Sequence, residues 1–573
     1  MLIKILFITI LNVVSFSIGC KDKNIEKEEI IDNGTVNCVQ VDVLEKIFKK
    51  QTNYAEVNVP VAVAKGETAS FQLVVNSTYA IKVLSAEVGD LVNGNHRIPS
   101  GQMSLVGYVR ISPDQNIGNG AAPDRIIPSD GYYPDPLPES SYTNVDAESN
   151  QPIWISYSIP RDAAEGVYTA DVFITGIANG AKFRLKRQLS AKVYPVVLPE
   201  QTLLVEHWFT GWTELKYMNY NNPVTPFSSL GYQLYGVVTR KAAEYGTNVF
   251  RVLLTSNIQP TLQGNTYTFD FSRFDKMVEL YLQEGNPKRI VGGFLGARFS
   301  EAGAGWTGPF GVYVPTGVMG ADGIPLYDIL PQNDPKTLTW LNQFLPAFYQ
   351  HLVSKGWDRI YIQHLADEPL PENAASYNAF ADLVKSIVPE LKIVDAIMTT
   401  NTAASMDIPC PLLSTLHTDY TSYQQLQASG KEIWYYVCDS PKWNYANRFI
   451  ELPLIKTRIQ HWINYRYNVT GFLHWAFHNW RSGYTVGDNV VWVTVPGDSW
   501  LAYPEYGKTY SSIRLEAMRD GINDYELLRL LEKKNHEGAK ELAEGVVVDF
   551  DSYDTDIVRF RERRIKMLQW LSE

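Results

Sequence analysis

Two periodicities divide this chain. Between residues 38 and 200 apolar side chains recur at every second position. Val57, Val59, Val61 and Val63 alternate with other residues, Lys65-Gly66-Glu67 makes a turn, and Phe71 opens the run FQLVV. Ile153, Ile155, Tyr157 and Ile159 alternate with Trp154, Ser156 and Ser158 until Pro160 ends the run. Residues 167–174 and 183–194 complete the set. A period of two sends successive side chains to opposite faces, and its interruption by Gly and Pro predicts a β-sandwich. Residues 112–150 break the rhythm with Pro113, Gly118, Gly120, Pro123, Pro128, Gly131, Pro134, Pro136 and Pro138. A loop of that length needs support, so it is expected to pack against the next domain. Its acids Asp130, Asp135 and Glu139 lack a regular calcium-ligand spacing and read as solvated turn residues.

From residue 201 the pattern alternates strand with helix. Strand-like runs begin near residues 202, 248, 289, 360, 393, 412, 432 and 471. Helical runs separate them. In one, Phe274, Met277, Val278, Tyr281 and Leu282 share a face. Another is capped by Asp334-Pro335, buries Leu341, Phe344, Leu345, Phe348 and Leu352, and stops at Gly356, with Pro346 expected to kink it. Eight such strands predict a (β/α)8 TIM-like barrel over residues 201–510. The alternative is a doubly wound open sheet, but no glycine-rich phosphate loop follows any strand. Residues 511–573 read as a helical C-terminal tail on the barrel, with Leu515, Met518, Ile522 and Tyr525 on one stripe. Arg514, Glu516, Arg519, Asp520, Asp524 and Glu526 on that helix read as a structural salt-bridge network.

The first residues differ from all of this. Lys4 precedes an apolar run, residues 5–18, of secretory rather than membrane-spanning length. Gly19-Cys20 follows, and the arrangement resembles a bacterial lipoprotein signal, with Ser17 standing where Leu is usual. Residues 1–19 are expected to be a cleaved signal, Cys20 the lipidation site, and residues 20–37 a flexible tether. This implies an exported protein anchored to the cell envelope, touching membrane only through its lipid. An ordinary signal with an incidental cysteine is the alternative. Cys38, Cys410 and Cys438 are too few and too far apart for structural zinc; buried free thiols are expected in preference to a Cys410–Cys438 pair.

Composition narrows the rest. At 573 residues, 45% hydrophobic and 20% charged, the chain can build large cores in two or three domains. A net charge of −11 without a long basic run argues against nucleic acid. No HExxH is present and no predicted helix carries a histidine pair at helical spacing, so no metal or other cofactor is expected. Aromatic residues make up 12%, which suits sugar-stacking surfaces and an aromatic core equally.

The chemistry is placed in IYIQHLADEP, residues 360–369. It has the form of a buried strand ending in two acids, where an α/β barrel presents its catalytic groups. Strand parity sends Asp367 and Glu368 to opposite faces, so both reach one ligand only if the strand ends there. Pro369 supports that ending and is expected to hold Glu368 extended. A helix cap or loop salt bridge is the alternative role for the pair. Glycosidases with two catalytic carboxylates set them about 5–5.5 Å or 6.5–9.5 Å apart across the scissile bond. Adjacent residues, with Cα atoms about 3.8 Å apart, approach a sugar from one side. That suits the exception in which the sugar's own 2-acetamido oxygen attacks the anomeric carbon. Glu368 then serves as acid/base, and Asp367 holds the acetamide N–H.

HLADEP, EIWYYVC, GFLHWAFHNW and SSIRLEAMRDGINDYELLRLL together resemble glycoside hydrolase family 123, the retaining β-N-acetylgalactosaminidases. The likeness covers sandwich, barrel and tail. It implies the same two roles for Asp367 and Glu368, and a glycan with β-linked N-acetylgalactosamine as partner. One departure is PGDSWLAYPE, residues 496–505, where relatives tend to have a more glycine-rich turn.

Other site candidates follow strands. Tyr436 is a candidate donor to the acetamide oxygen, or a core tyrosine. Trp475 and Trp480 are candidate walls under the sugar, or packing residues. Asn447, His417 and His207 with Trp208 are candidate hydroxyl ligands, whereas His364 reads as an inward core histidine. The competing functions are a β-glycosidase of other specificity, such as β-GlcNAc, and a non-catalytic carbohydrate-binding lipoprotein.

Overall fold

The computed structural model describes residues 31–32, 34–111, 122–209, 211–299, 305–480 and 495–573. The signal segment, Cys20 and most of the tether lie outside the described residues.

The first domain is a two-sheet sandwich as the alternation predicts, although the run expected from Val57 becomes a strand only at Val61. One sheet pairs Val36–Val41, Thr68–Ser77, Gln151–Ser158 and Gln102–Leu105 in that order. The facing sheet pairs Thr143–Val145, Ile81–Val88, Gly166–Ala178, Ala181–Val197 and Val61–Lys65. Phe71, Leu73, Ile153, Ile155 and Tyr157 meet Tyr168, Val172, Ile174, Leu185 and Leu189 in one core between them. Trp154 has the opposite parity, leaves that core and joins the larger core of the second domain.

The second domain is α/β. Its parallel strands are β1 (Leu204–His207), β2 (Val249–Val252), β3 (Arg289–Gly292), β4 (Tyr361–Gln363), β5 (Val394–Ile397), β6 (Ile408–Pro411), β7 (Trp434–Tyr436) and β8 (Gly471–His474). Six pair continuously in the order β4-β3-β2-β1-β8-β7. β5 and β6 pair with each other, and single parallel bridges, Gln363 to Ile393 and Leu412 to Tyr436, link that pair to β4 and β7. The ladder is therefore a six-stranded sheet plus a pair. Helices α1 (Ser229–Glu244), α2 (Ser272–Glu284), α3 (Pro335–Lys355), α4 (Ala374–Ile387), α5 (Tyr420–Ala428) and α6 (Leu454–Arg466) occupy the crossovers. Between β5 and β6 the connection holds only a 3-10 turn, Thr400–Ser405.

The sixth strand corrects the sequence reading. The apolar run starting at Leu412 folds as a short helix, Leu413–Thr418, and the strand is the preceding IPCP. Pro409 and Pro411 have no N–H for a ladder. The sheet accommodates them because β6 has a full neighbour on one side only.

Three helices close the chain: α7 (Ile513–Lys534), α8 (His536–Val546) and α9 (Ile557–Ser572). Ser512 caps α7 by accepting the Leu515 N–H. The expected charge network is present and ties the domains together. Arg514 donates to both oxygens of Asp135 at 2.8 and 2.9 Å, so the long sandwich loop does dock on the second domain. Asp524 accepts from Arg458 on α6, Trp462 and Arg564 on α9, and Arg564 also donates to Glu67 of the sandwich. Buried ions of this kind hold their place only when each is paired and hydrogen-bonded. Cys38 and Cys410 are buried, Cys438 is partly buried, and all three are free thiols.

Candidate active site

β4 ends at Gln363, and the next five residues build the site. His364 is fully buried, with Nδ1 2.8 Å from Asp395 of β5 and Nε2 3.3 Å from Glu206 of β1. Asp395 also accepts the N–H groups of Leu365 and Ala366 at 2.9 and 3.3 Å and the Tyr377 hydroxyl at 2.5 Å. One buried carboxylate thus shapes the turn that carries the acids. Burial opposes a charge on His364, but the carboxylates of Glu206 and Asp395 outweigh it and push the imidazole up to about 9. Glu206, His364 and Asp395 form one buried, hydrogen-bonded layer beneath the acids.

Above it stand Asp367 and Glu368, both partly buried. Glu368 is not extended, as its proline neighbour suggested. Its φ is +46°, in the left-handed region, which costs free energy for a non-glycine residue and recurs at functional sites. Two contacts fix this conformation: the Glu368 N–H donates to the Ala396 carbonyl at 3.1 Å, and its own carbonyl accepts from Arg298 at 2.6 Å. The left-handed step lets two adjacent acids leave a strand without taking opposite faces.

Their environments differ. Tyr436, on β7, donates its hydroxyl to Oε1 of Glu368 at 2.5 Å. Burial and then the neighbouring Asp367 charge push the Glu368 carboxyl up to about 7, against the opposing pull of Tyr436 and Arg298. Burial also raises Asp367, opposed by Arg251 and Arg298. No described residue hydrogen-bonds the Asp367 carboxylate, which leaves it an open acceptor. A proton-bearing glutamate beside an acceptor aspartate can protonate a leaving oxygen and hold an N–H at once.

Several residues complete this arrangement that local sequence did not announce. Arg251 of β2 lies over Trp208 at 3.9 Å and Phe294 at 4.3 Å, supplying positive charge toward Asp367. Arg298 follows β3. Asp498 accepts from Trp475 Nε1 at 2.8 Å and lies 3.0 Å from His474 Nε2, so it sets the indole's orientation just beyond β8. Burial and then the charges of Asp498 and Glu368 push the Cys438 thiol up. Asp498 belongs to PGDSW, residues 496–500.

Four sequence candidates are not brought to the acids. Trp480 is 2% exposed, packs on Trp500 and Tyr503 and donates to the Ala502 carbonyl. Asn447 is fully buried and ties the carbonyls of Cys438 and Pro441, bracing the loop after β7. His207 turns away from the strand interior, 2.8 Å from Thr247, between Phe472 and Phe477. Neighbouring Trp208 takes the site-facing position and donates to Glu206 at 2.6 Å. His417 lies on the short helix that replaced the expected strand, bonded to Tyr445 and stacked on Phe550. With Asp549 and Asp551 it forms a group whose ligand atoms lie within 4.8 Å of one another, outside the acid site.

The profile described as glycoside hydrolase 123, catalytic domain, matches residues 212–531, and that of the glycoside hydrolase 123 N-terminal domain matches residues 22–176. A solved family 123 glycoside hydrolase from Clostridium perfringens, described by its hydrolysis of glycolipid glycans, superposes with a TM-score of 0.71 at 18% identity, covering 94% of this chain and 97% of that one. A family 10 xylanase with a bacterial Ig-like domain from termite gut gives only 0.31, at 9% identity over 82% and 100% of the two chains. No curated protein matches the sequence. The acid-bearing α/β domain is that of a glycoside hydrolase. The chain belongs to glycoside hydrolase family 123.

Proposed function

We propose that the protein is a retaining, exo-acting β-N-acetylgalactosaminidase that removes terminal β-linked GalNAc from glycans or glycolipids with help from the substrate's own acetamide. In this reading Glu368 protonates the glycosidic oxygen while the acetamide carbonyl oxygen attacks C1. The C1–O bond breaks, an oxazolinium ring forms, and Asp367 accepts the acetamide N–H as positive charge develops there. Glu368, now a carboxylate, takes a proton from water, which opens the ring and regenerates the sugar with retained configuration. The observation that carries the reading is the pairing of a raised, Tyr436-bonded Glu368 with an adjacent Asp367 whose carboxylate is an unused acceptor.

Three associated readings belong to the same proposal. The two bridges at Gln363 and Leu412 support closure of the eight strands into one barrel, with the acids at its C-terminal rim. The Clostridium enzyme's action on glycolipid glycans supports the substrate class. The signal-like first residues support export and a lipid on Cys20.

Aryl β-GalNAc and aryl β-GlcNAc substrates test the reading with wild type, Glu368→Gln and Asp367→Asn. Turnover of the first substrate and severe loss in both variants is expected. No turnover of either by wild type, or undiminished turnover by Glu368→Gln, would overturn it.

A further inference from the structure

One large aromatic, joined to the acid-bearing segment through a shared arginine, is more than half open to solvent. Trp306, on the 3-10 turn Gly305–Thr307 of the insertion after β3, is 59% exposed. An open indole offers a flat apolar ring face with a polar N–H at its edge. Its position is well fixed. Arg298 lies over one face of the ring at 4.0 Å and donates through Nε to the Trp306 carbonyl at 2.8 Å. Asn373 donates to the carbonyls of Trp306 and Gly308 at 3.1 and 3.0 Å, and accepts the Leu370 N–H at 2.7 Å, so the turn is clamped to the segment just past the acids. Arg298 also donates to the Glu368 carbonyl at 2.6 Å. The same guanidinium therefore touches the backbone of the acid and one face of the indole.

We infer that Trp306 is the platform of a leaving-group subsite: its open face stacks on the apolar face of the sugar whose oxygen Glu368 protonates. This rests on Glu368 acting as the acid. The side follows from chemistry, because the group that delivers the proton marks where the leaving oxygen lies, and Trp306 is coupled to that residue through Arg298. The ligand class is a hexopyranose, since a pyranose offers a flat C–H face to an indole. The Arg298 behind the ring makes the arrangement rigid, so little ordering entropy is lost on binding.

The test compares kcat/KM for a β-GalNAc-terminated oligosaccharide with that for methyl β-GalNAc, whose leaving group is too small to cover the ring. Trp306→Ala is expected to cut the oligosaccharide value about tenfold more than the methyl glycoside value, mostly through KM, as loss of one aromatic contact implies. Trp306→Tyr should recover most of that selective loss. Equal losses on the two substrates, or selective loss with no recovery in Trp306→Tyr, would overturn the subsite. If wild type cleaves neither β-GalNAc glycoside, the proposed function fails with it; if wild type cleaves both and the variant losses are equal, only the subsite fails.

Discussion

The hydroxyl of Tyr436 lies 2.5 Å from Oε1 of Glu368 and joins the end of β7 to the end of β4. The sequence makes Tyr436 a candidate donor to the acetamide oxygen or a core tyrosine; in the structure its hydroxyl bonds the acid. As a donor it favours the ionised form of Glu368, so it restrains a carboxyl that burial and Asp367 push up to about 7. Tyr436→Phe should raise that value further. The alkaline limb of kcat/KM, which reports loss of the catalytic proton, should then move to higher pH, and the maximum should fall about tenfold or more with the lost hydrogen bond. A pH–rate profile measures both. An alkaline limb that stays put or moves to lower pH would contradict the assignment.

His364 makes a prediction about stability. Its imidazole is raised to about 9 in the folded protein from an ordinary 6.5. A raised group stabilises fully below its unfolded value and loses that contribution as pH climbs through the folded value. The urea midpoint of wild type should therefore fall between about pH 6.5 and 9 relative to that of His364→Gln. Parallel midpoints across that range would show that the imidazole is uncharged.

Asp498 holds Trp475 by its indole N–H. Asp498→Ala frees the ring and should raise KM by about threefold to tenfold through loss of one ordered aromatic contact. An unchanged KM would remove Trp475 from the sugar's surroundings.

Asp524 is the hub for Arg458, Trp462 and Arg564. Asp524→Asn leaves buried guanidinium groups short of a counter-charge and should cost about 3–5 kcal/mol in chemical denaturation. Because Arg564 also reaches Glu67, the sandwich and the α/β domain should lose stability together.

What could be read from the sequence follows from how local each signal is. Side-chain alternation and helical stripes depend on neighbours a few residues apart, so the sandwich, most strands and the closing helices were legible. The acid pair was legible because both members and the strand they end are contiguous. β6 was hidden because Pro409 and Pro411 look like strand breakers, and nothing local reveals that the ladder is thin on one side there. Arg251, Arg298, Asp395 and Asp498 were hidden because each reaches the site from a different strand or loop. His207 and Trp208 show the limit of parity: the strand end was found, but which of two neighbours faces inward depends on one residue of register.

The most direct test of substrate assistance is the rate of cleavage of aryl β-GalNAc substrates whose acetyl group carries zero, one, two or three fluorines. Fluorine weakens the carbonyl oxygen as a nucleophile without changing the leaving group. If the acetamide attacks C1, kcat/KM should fall steeply with each fluorine in wild type. A rate indifferent to fluorination would mean that another group attacks, and that Asp367 and Glu368 divide the work differently.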